Sequence, residues 1–230
     1  MATMTVADNR AFIAQVLEEI VRPGADRLMA SRYFTDLQNG TLTTRRLQGW
    51  ALQHYWFNQS LIKGYALRMV RGAESEAAFN AAVHAFNEEQ THPAMAKRFG
   101  LALGLTEADF AEVQPIHPVL AHTGAVLASM YVLPNLAQRR ASGLANETMV
   151  QRYATALDQR LREAPYNMSA DALTFFVVHG VADIRHSQEA ADHLATIIKD
   201  DHDRQVVRAM AQHMVDFKLA KFEGIYEAYA

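Results

Sequence analysis

Apolar residues recur at helical spacing along most of the chain, and no convincing alternation with a period of two is present. Residues 8–22 form the first amphipathic segment, which Pro23-Gly24 is expected to end. Seven or eight such segments with short links predict an all-α helical bundle. With half of its residues hydrophobic, the chain can bury one sizeable core, so a single domain over residues 1–230 is expected.

Capping residues and breakers predict where several helices begin and end. Thr43 or Thr44 can begin a long helix that runs to Val70. The next helix, capped by Ser75, contains Pro93, which lacks a backbone donor and predicts a kink one residue beyond His92. The later helices are expected over residues 119–142, 146–163, 169–199 and 203–229.

Charge and cysteine content narrow the classes of partner and chemistry. The net charge is −3 with scattered Lys and Arg, so neither nucleic acid nor an anionic membrane is a favoured partner. No cysteine is present, which excludes disulfides, thiolate ligands and a cysteine nucleophile. The longest apolar runs, 124–134 and 173–178, are shorter than the roughly 20 residues that cross a bilayer. The N-terminus lacks the pattern of an export signal, so we expect a soluble, cytoplasmic protein.

The segment 172–191 carries two imidazoles and a carboxylate in an otherwise apolar context. His179, Asp183 and His186 are separated by four and three positions, which returns each side chain to nearly the same side of a helix. A lone buried histidine is usually a hydrogen-bonded core residue. Three such residues on one face are typical of a metal-ligand set instead.

An earlier segment offers two more donors. Glu89 and His92 stand three apart, again on one side of a helix, although this polar stretch also resembles a solvated helix face. If the two segments face each other, the site holds His, Asp and Glu without sulfur, a donor set that suits non-haem iron and does not exclude zinc. His54, on the second long helix, is a further candidate for this pocket.

These motifs resemble the haem-oxygenase-like superfamily that includes pyrroloquinoline-quinone synthase, thiaminase II and the non-haem di-iron oxidases. The resemblance runs from about Tyr33 to Tyr229 and includes the stretches 45–59 and 99–105. The iron-binding branch is identified by Glu-x-x-His followed by His-x-x-x-Asp-x-x-His. Here these are Glu89-x-x-His92 and His179-x-x-x-Asp183-x-x-His186.

The resemblance implies a haem-oxygenase-like bundle that binds iron, activates dioxygen and oxidises a small metabolite such as an amino acid or a fatty acid. It also implies a homodimer. Two further glutamates complete the di-iron site of the best-studied members, and Gln59 and Met130 stand at those positions by our alignment. Only two carboxylates would then face two iron(II) ions, so either one ion or a weak second site is expected.

Four side chains are candidates for substrate contacts: Tyr55, Gln59, Tyr131 and Arg185, the last as a guanidinium partner for a carboxylate. Two alternatives stay open on the same fold. One is a metal-free oxidase like pyrroloquinoline-quinone synthase, and the other is a ligand-binding or protein-binding module without catalysis. Thiaminase II depends on a cysteine nucleophile, which this chain lacks.

Overall fold

The computed structural model describes residues 5–70 and 76–230, with the side chains of residues 70, 77, 78 and 181–186 left outside the description. Within these residues the regular elements are helices and no strand occurs, so the predicted all-α fold is confirmed. The helices are α1 (Val6–Val16), α2 (Arg22–Met29), α3 (Arg32–Asn39), α4 (Thr44–Val70), α5 (Glu76–Glu89), α6 (His92–Ala102), α7 (Glu107–Glu112), α8 (His117–Tyr131), α9 (Leu136–Leu161), α10 (Thr174–Ile197) and α11 (Asp201–Ala228).

The predicted stop at Pro23-Gly24 is wrong, because the first helix continues through it. A π-helical turn, Leu17–Val21, shifts the hydrogen-bond register, and Pro23 then lies in the first turn of α2. A Cβ atom on Gly24 would lie 2.4 Å from Cγ1 of Val215. The glycine therefore permits close packing of α2 on α11 and does not end the helix.

The predicted kink beyond His92 is a break that comes before it. A proline ring clashes with the carbonyl group four residues earlier, which for Pro93 is the carbonyl of Glu89. Accordingly, α5 ends at Glu89, and α6 starts at His92 with Pro93 in its first turn. Glu89 and His92 thus lie at facing ends of two helices. The predicted cap Ser75 lies outside the described residues.

The helix predicted over 119–142 is two helices. α8 ends at Tyr131, and the side chain of Asn135 accepts a hydrogen bond from the backbone N–H of Gln138 to cap α9. α9 then runs without interruption to Leu161, so the predicted start at residue 146 is wrong. The predicted cap of α4 is confirmed, since Oγ1 of Thr43 accepts from the backbone N–H of Arg46 over 3.3 Å.

The long helices pack around a core that positions the candidate site. α9 contacts both α10 and α11, while α4 contacts α6, α8 and α11. Trp50 of α4 is fully buried and meets Phe175 and Phe176 of α10 at ring-centroid distances of 5.2 and 4.7 Å. These contacts bring the first turns of α10 against the N-terminal half of α4. Among the described helices, none combines the length and apolar character that crossing a membrane requires.

Candidate metal and substrate site

Glu89 and His92 form a hydrogen-bonded pair across the break between α5 and α6. Oε2 of Glu89 lies 2.6 Å from Nδ1 of His92, whose ring is buried. A carboxylate at this distance accepts the Nδ1–H proton, which places the lone pair of the neutral ring on Nε2. Metal-binding histidines are commonly oriented in this way by a carboxylate.

His179 is held in the same tautomer by the backbone. Its Nδ1 lies 2.8 Å from the carbonyl oxygen of Phe175, and a carbonyl can only accept, so Nδ1 carries the proton. The His179 ring also stacks on the Phe175 ring at 4.0 Å between centroids and 24° between planes. Both the tautomer and the orientation of the imidazole are therefore defined by the first turns of α10.

The fold brings the two histidines together. The ring centroids of His92 and His179 are 4.4 Å apart, although the residues belong to different helices. Asp183, His186 and Arg185 belong to α10, but their side chains lie outside the described residues. Among the side chains that are described, no three His, Asp or Glu donors are grouped to hold a metal ion. The five-residue ligand set therefore stays a prediction.

A cavity of about 170 Å³ opens beside His92 and His179, and Glu89 and His179 line it. Its walls come from α4, α8, α9 and α11 in addition to α10. Besides Glu89 and His179, the lining includes apolar residues and the following polar or charged ones: His54, Asn58, Tyr65, Arg68, Ser129, Arg139, Arg140, Ser142, Asn146, Glu147 and Lys218.

The wall from α4 shows how the cavity is organised. His54, Asn58, Leu61, Tyr65 and Arg68 recur at three- and four-residue steps, so one stripe of the helix faces the cavity. At 1.5 Å per residue, His54 and Arg68 are separated by roughly 21 Å along the helix axis. His54 packs edge-on against Phe175 at 4.8 Å, which places this end of the stripe near His179. The opposite end carries Arg68.

Two buried lysines of α11 lie at the His54 end. Nζ of Lys221 is 3.0 Å from Nδ1 of His54, and Nζ of Lys218 is 2.6 Å from Oδ1 of Asn146. Burial, and then the nearby Lys218, lower the pKa of Lys221 well below its usual value. Burial followed by Lys221 likewise lowers the pKa of His54. This end of the cavity therefore carries basic side chains, but their protonation there is less favourable than in water.

The other end is lined by three arginines. Arg139 donates from Nε to the Ser129 carbonyl over 3.2 Å and from Nη2 to the Met130 carbonyl over 3.1 Å. Burial, and then the charge of Arg139, lower the pKa of Arg68. Burial, and then the charges of Arg68 and Arg139, lower the pKa of Arg140. The three guanidinium groups are thus close enough to repel one another.

The structure places three of the predicted substrate contacts outside the cavity. Tyr55 packs edge-on against Phe110 of α7 at 5.1 Å, and Gln59 donates to the Tyr55 hydroxyl over 3.3 Å. Neither residue lines the cavity, and neither does Tyr131. The fourth candidate, Arg185, has no described side chain. Met130 does line the cavity, as does His54.

Sequence reasoning missed most of the polar lining. The recurrence of Asn58, Tyr65 and Arg68 with His54 at helical steps was a usable signal on α4. A second signal was the position of Lys218 and Lys221 among the apolar residues of α11, since lysine is almost never fully buried without a role or a partner.

The residues present fit a metal bound by nitrogen and oxygen. Both described histidines present Nε2 lone pairs, each is oriented through Nδ1, and the carboxylate of Glu89 adjoins them. Such a donor set suits iron in preference to a structural thiolate zinc site.

Solved structures share this fold. A domain of unknown function with a heme oxygenase-like fold from Shewanella denitrificans is 18% identical, with a TM-score of 0.77 over 93% of this chain and 91% of that one. A TenA homologue from Pseudomonas syringae pathovar tomato is 12% identical, with a TM-score of 0.80 over 97% and 96%. A TenA homologue from Pyrococcus furiosus is 10% identical, with a TM-score of 0.74 over 93% and 99%. The bundle is therefore haem-oxygenase-like, as the motifs indicated.

A search of curated proteins finds no significant match. A family model does match: residues 49–218 fit the model described as "Iron-containing redox enzyme". That range includes Glu89, His92 and His179 together with most of the cavity lining. The chain belongs to this family of iron-containing redox enzymes.

Proposed function

We propose that the protein is a non-haem iron-dependent oxidase or oxygenase that activates dioxygen and oxidises a small metabolite. One observation carries the proposal. Two histidines from different helices, each fixed through Nδ1, lie 4.4 Å apart beside a carboxylate and a cavity. Membership of an iron-containing redox family supports the choice of metal.

In this proposal Nε2 of His92 and Nε2 of His179 bind the metal, with carboxylate from Glu89 and further donors from Asp183 and His186. Bound iron(II) would supply the electrons that dioxygen needs in order to react. Glu89 has a second task, because it keeps Nδ1 of His92 protonated. Phe175 keeps His179 in position through its carbonyl and its ring.

The cavity would exclude water from the reacting groups and limit the size of the substrate. Phe57, Leu61, Val126 and Phe175 contribute apolar surface beside Glu89 and His179, which excludes water from the reacting groups. A volume of about 170 Å³ is below the roughly 300 Å³ at which drug-sized pockets begin. The substrate is accordingly a small metabolite. A homodimer remains a prediction from the family resemblance.

Anaerobic titration of chelator-treated protein with iron(II), followed by exposure to oxygen, tests the proposal. We expect iron(II) to bind at micromolar affinity or better and the absorption spectrum to change only when oxygen is admitted. His92→Ala and His179→Ala should each weaken iron binding by more than about 100-fold, since outer-shell changes alone cost 10- to 100-fold. His213→Ala, in an exposed position of α11, is the matched control and should bind iron as the wild type does.

Three results would overturn the proposal. They are iron binding weaker than micromolar, iron binding that both site variants retain, and a spectrum that oxygen does not change. A metal-free oxidase would instead keep its activity in the presence of chelators. A binding module would hold a ligand in the cavity without consuming oxygen.

A further inference from the structure

Arg68 and Arg140 differ from Arg139 and Lys218, the other described cations of the cavity lining, in having no hydrogen-bond or ion-pair partner among the described residues. Neither guanidinium makes a hydrogen bond or an ion pair with the part of the chain that the structure describes. Arg139, by contrast, donates hydrogen bonds to the carbonyl groups of Ser129 and Met130 at the end of α8. Both unpartnered groups are partly withdrawn from water and face a cavity that a ligand can enter.

The charges that line the cavity favour an anion. Arg68, Arg139 and Arg140 line one end and Lys218 lines the other, and the described carboxylates of the lining are Glu89 and Glu147. Partial burial of like charges beside one another is unfavourable unless a counter-charge is supplied. Burial, and then repulsion among the arginines, lower the pKa of Arg68 and that of Arg140. An anion between them would remove that repulsion.

The rest of the lining limits the kind of anion. Leu61, Val126 and Val150 provide apolar surface in the same cavity, which suits a ligand with a hydrocarbon body. The cavity holds about 170 Å³, the share of roughly six water molecules at about 30 Å³ each. Guanidinium groups bind carboxylates through two parallel hydrogen bonds, which fixes orientation as well as charge.

We propose that Arg68 and Arg140 form an anion subsite that binds the carboxylate of a small organic acid, with its apolar body extending toward Glu89 and His179. The identification of this acid as the substrate rests on the proposed function, but the anion contacts themselves need no metal. Tyr65 also lines the cavity, and the charges of Glu89, Glu147, Arg68 and Arg140 all influence the pKa of its hydroxyl, which burial raises first.

Calorimetric binding to metal-free, full-length protein tests the subsite. The probes are acetate, butanoate, hexanoate and benzoate, each compared with its neutral amide, and inorganic phosphate as a separate arm. We expect at least one carboxylate to bind about tenfold or more tightly than its amide, as a charged hydrogen-bond pair provides. Arg68→Gln and Arg140→Gln should each reduce that preference, and the double variant should abolish it.

Controls separate this inference from the iron proposal. Arg152→Gln, on the exposed side of α9 where Arg152 faces Asp26, should leave carboxylate binding unchanged. Arg140→Lys, which keeps the charge but loses the fork, should bind more weakly than the wild type. Both glutamine variants should still bind iron(II) as the wild type does, since guanidinium groups are not metal ligands. Circular dichroism confirms that each variant is folded.

Three results would overturn the subsite. The first is that the amides bind as tightly as the acids, and the second is that the double variant keeps the preference for acids. The third is that no carboxylate of the series binds, whether or not phosphate does. If carboxylates bind but iron does not, the subsite stands and the oxidase proposal falls; the reverse result removes the subsite alone.

Discussion

His179 donates from Nδ1 to the backbone carbonyl oxygen of Phe175 over 2.8 Å, and its ring stacks on the ring of the same residue. One residue thus defines both the tautomer and the orientation of the imidazole. Because the carbonyl contact survives any substitution that keeps the helix, the ring contact can be removed by itself. The contribution of orientation to metal binding is therefore open to measurement.

We expect Phe175→Leu to weaken iron(II) binding by roughly tenfold, the lower end of the loss for outer-shell changes. The donors stay in place, but the stacked surface that holds the His179 ring is lost. Phe176→Leu is the matched control, since Phe176 is equally buried and packs on Trp50 and Phe99. In urea denaturation, both variants should have a lower free energy of unfolding than the wild type. Equal iron affinity in the two variants would show that the ring contact does not orient His179.

Glu89→Gln should reduce iron(II) affinity by about 10- to 100-fold. The amide removes a negative charge beside the metal and cannot accept the Nδ1–H of His92 as strongly as a carboxylate does. Glu88→Gln is the comparison, because Oε1 of Glu88 lies 3.3 Å from Nε2 of the exposed His84. Metal content after dialysis measures both. A larger loss in Glu88→Gln would mean that the wrong carboxylate has been assigned to the site.

The buried His122 should make the free energy of unfolding depend on pH in the acid range. It is fully buried, and neither ring nitrogen makes a hydrogen bond of normal geometry with the described part of the chain, although Asn146 is near enough to influence it. Burial, followed by the charges of Lys218 and Lys221, lowers the pKa of His122 well below its usual 6.5. Below about pH 6.5 the unfolded chain therefore takes up a proton that the folded chain does not. The free energy of unfolding falls as pH decreases, by up to about 1.4 kcal/mol per pH unit for one proton.

His122→Phe should remove this part of the acid sensitivity. Its unfolding free energy from urea denaturation should fall less than that of the wild type between neutral pH and pH 5. His213→Gln, at an exposed position, should follow the wild type. An unchanged difference between the two pH values in His122→Phe would show that the buried ring does not resist protonation.

Gly24→Ala should destabilise the protein by about 1–3 kcal/mol, the usual cost of overpacking. The added Cβ would lie 2.4 Å from Cγ1 and 2.7 Å from Cγ2 of Val215, and a β-branched side chain has little freedom to move aside. Gly124→Ala in α8 meets no atom within 4 Å and should stabilise by up to about 1 kcal/mol. Urea denaturation of both variants measures the contrast. A neutral Gly24→Ala would indicate that α2 and α11 can separate at little cost.

The helical class and several helix ends could be predicted because they depend on local residues. The cap at Thr43, for example, is a hydrogen bond from the backbone N–H of Arg46, only three residues away. The helix passes through Pro23 after the π-helical turn Leu17–Val21, and the next residue, Gly24, packs closely on Val215 of α11. Long-range contacts of this kind leave no sign in the local pattern.

The candidate site was also predicted only in part. The spacing of Glu89 and His92 predicted one helical face, but the two residues lie at the facing ends of α5 and α6. They are nevertheless hydrogen-bonded to each other, and the His92 ring lies beside His179. Tyr55 and Gln59 were misplaced because α4 is packed on several sides, so its apolar pattern does not identify the stripe that faces the cavity. Arg68 and Arg140 meet only in the folded chain, since they come from α4 and α9.

Diffraction at the iron absorption edge from crystals soaked anaerobically in iron(II) would locate the metal. We expect an anomalous peak bonded to Nε2 of His92 and to Nε2 of His179, next to the Glu89 carboxylate. The Nδ1 contacts to Glu89 and to the Phe175 carbonyl should be kept. An iron peak elsewhere in the molecule, or coordination through either Nδ1, would contradict the proposed iron site.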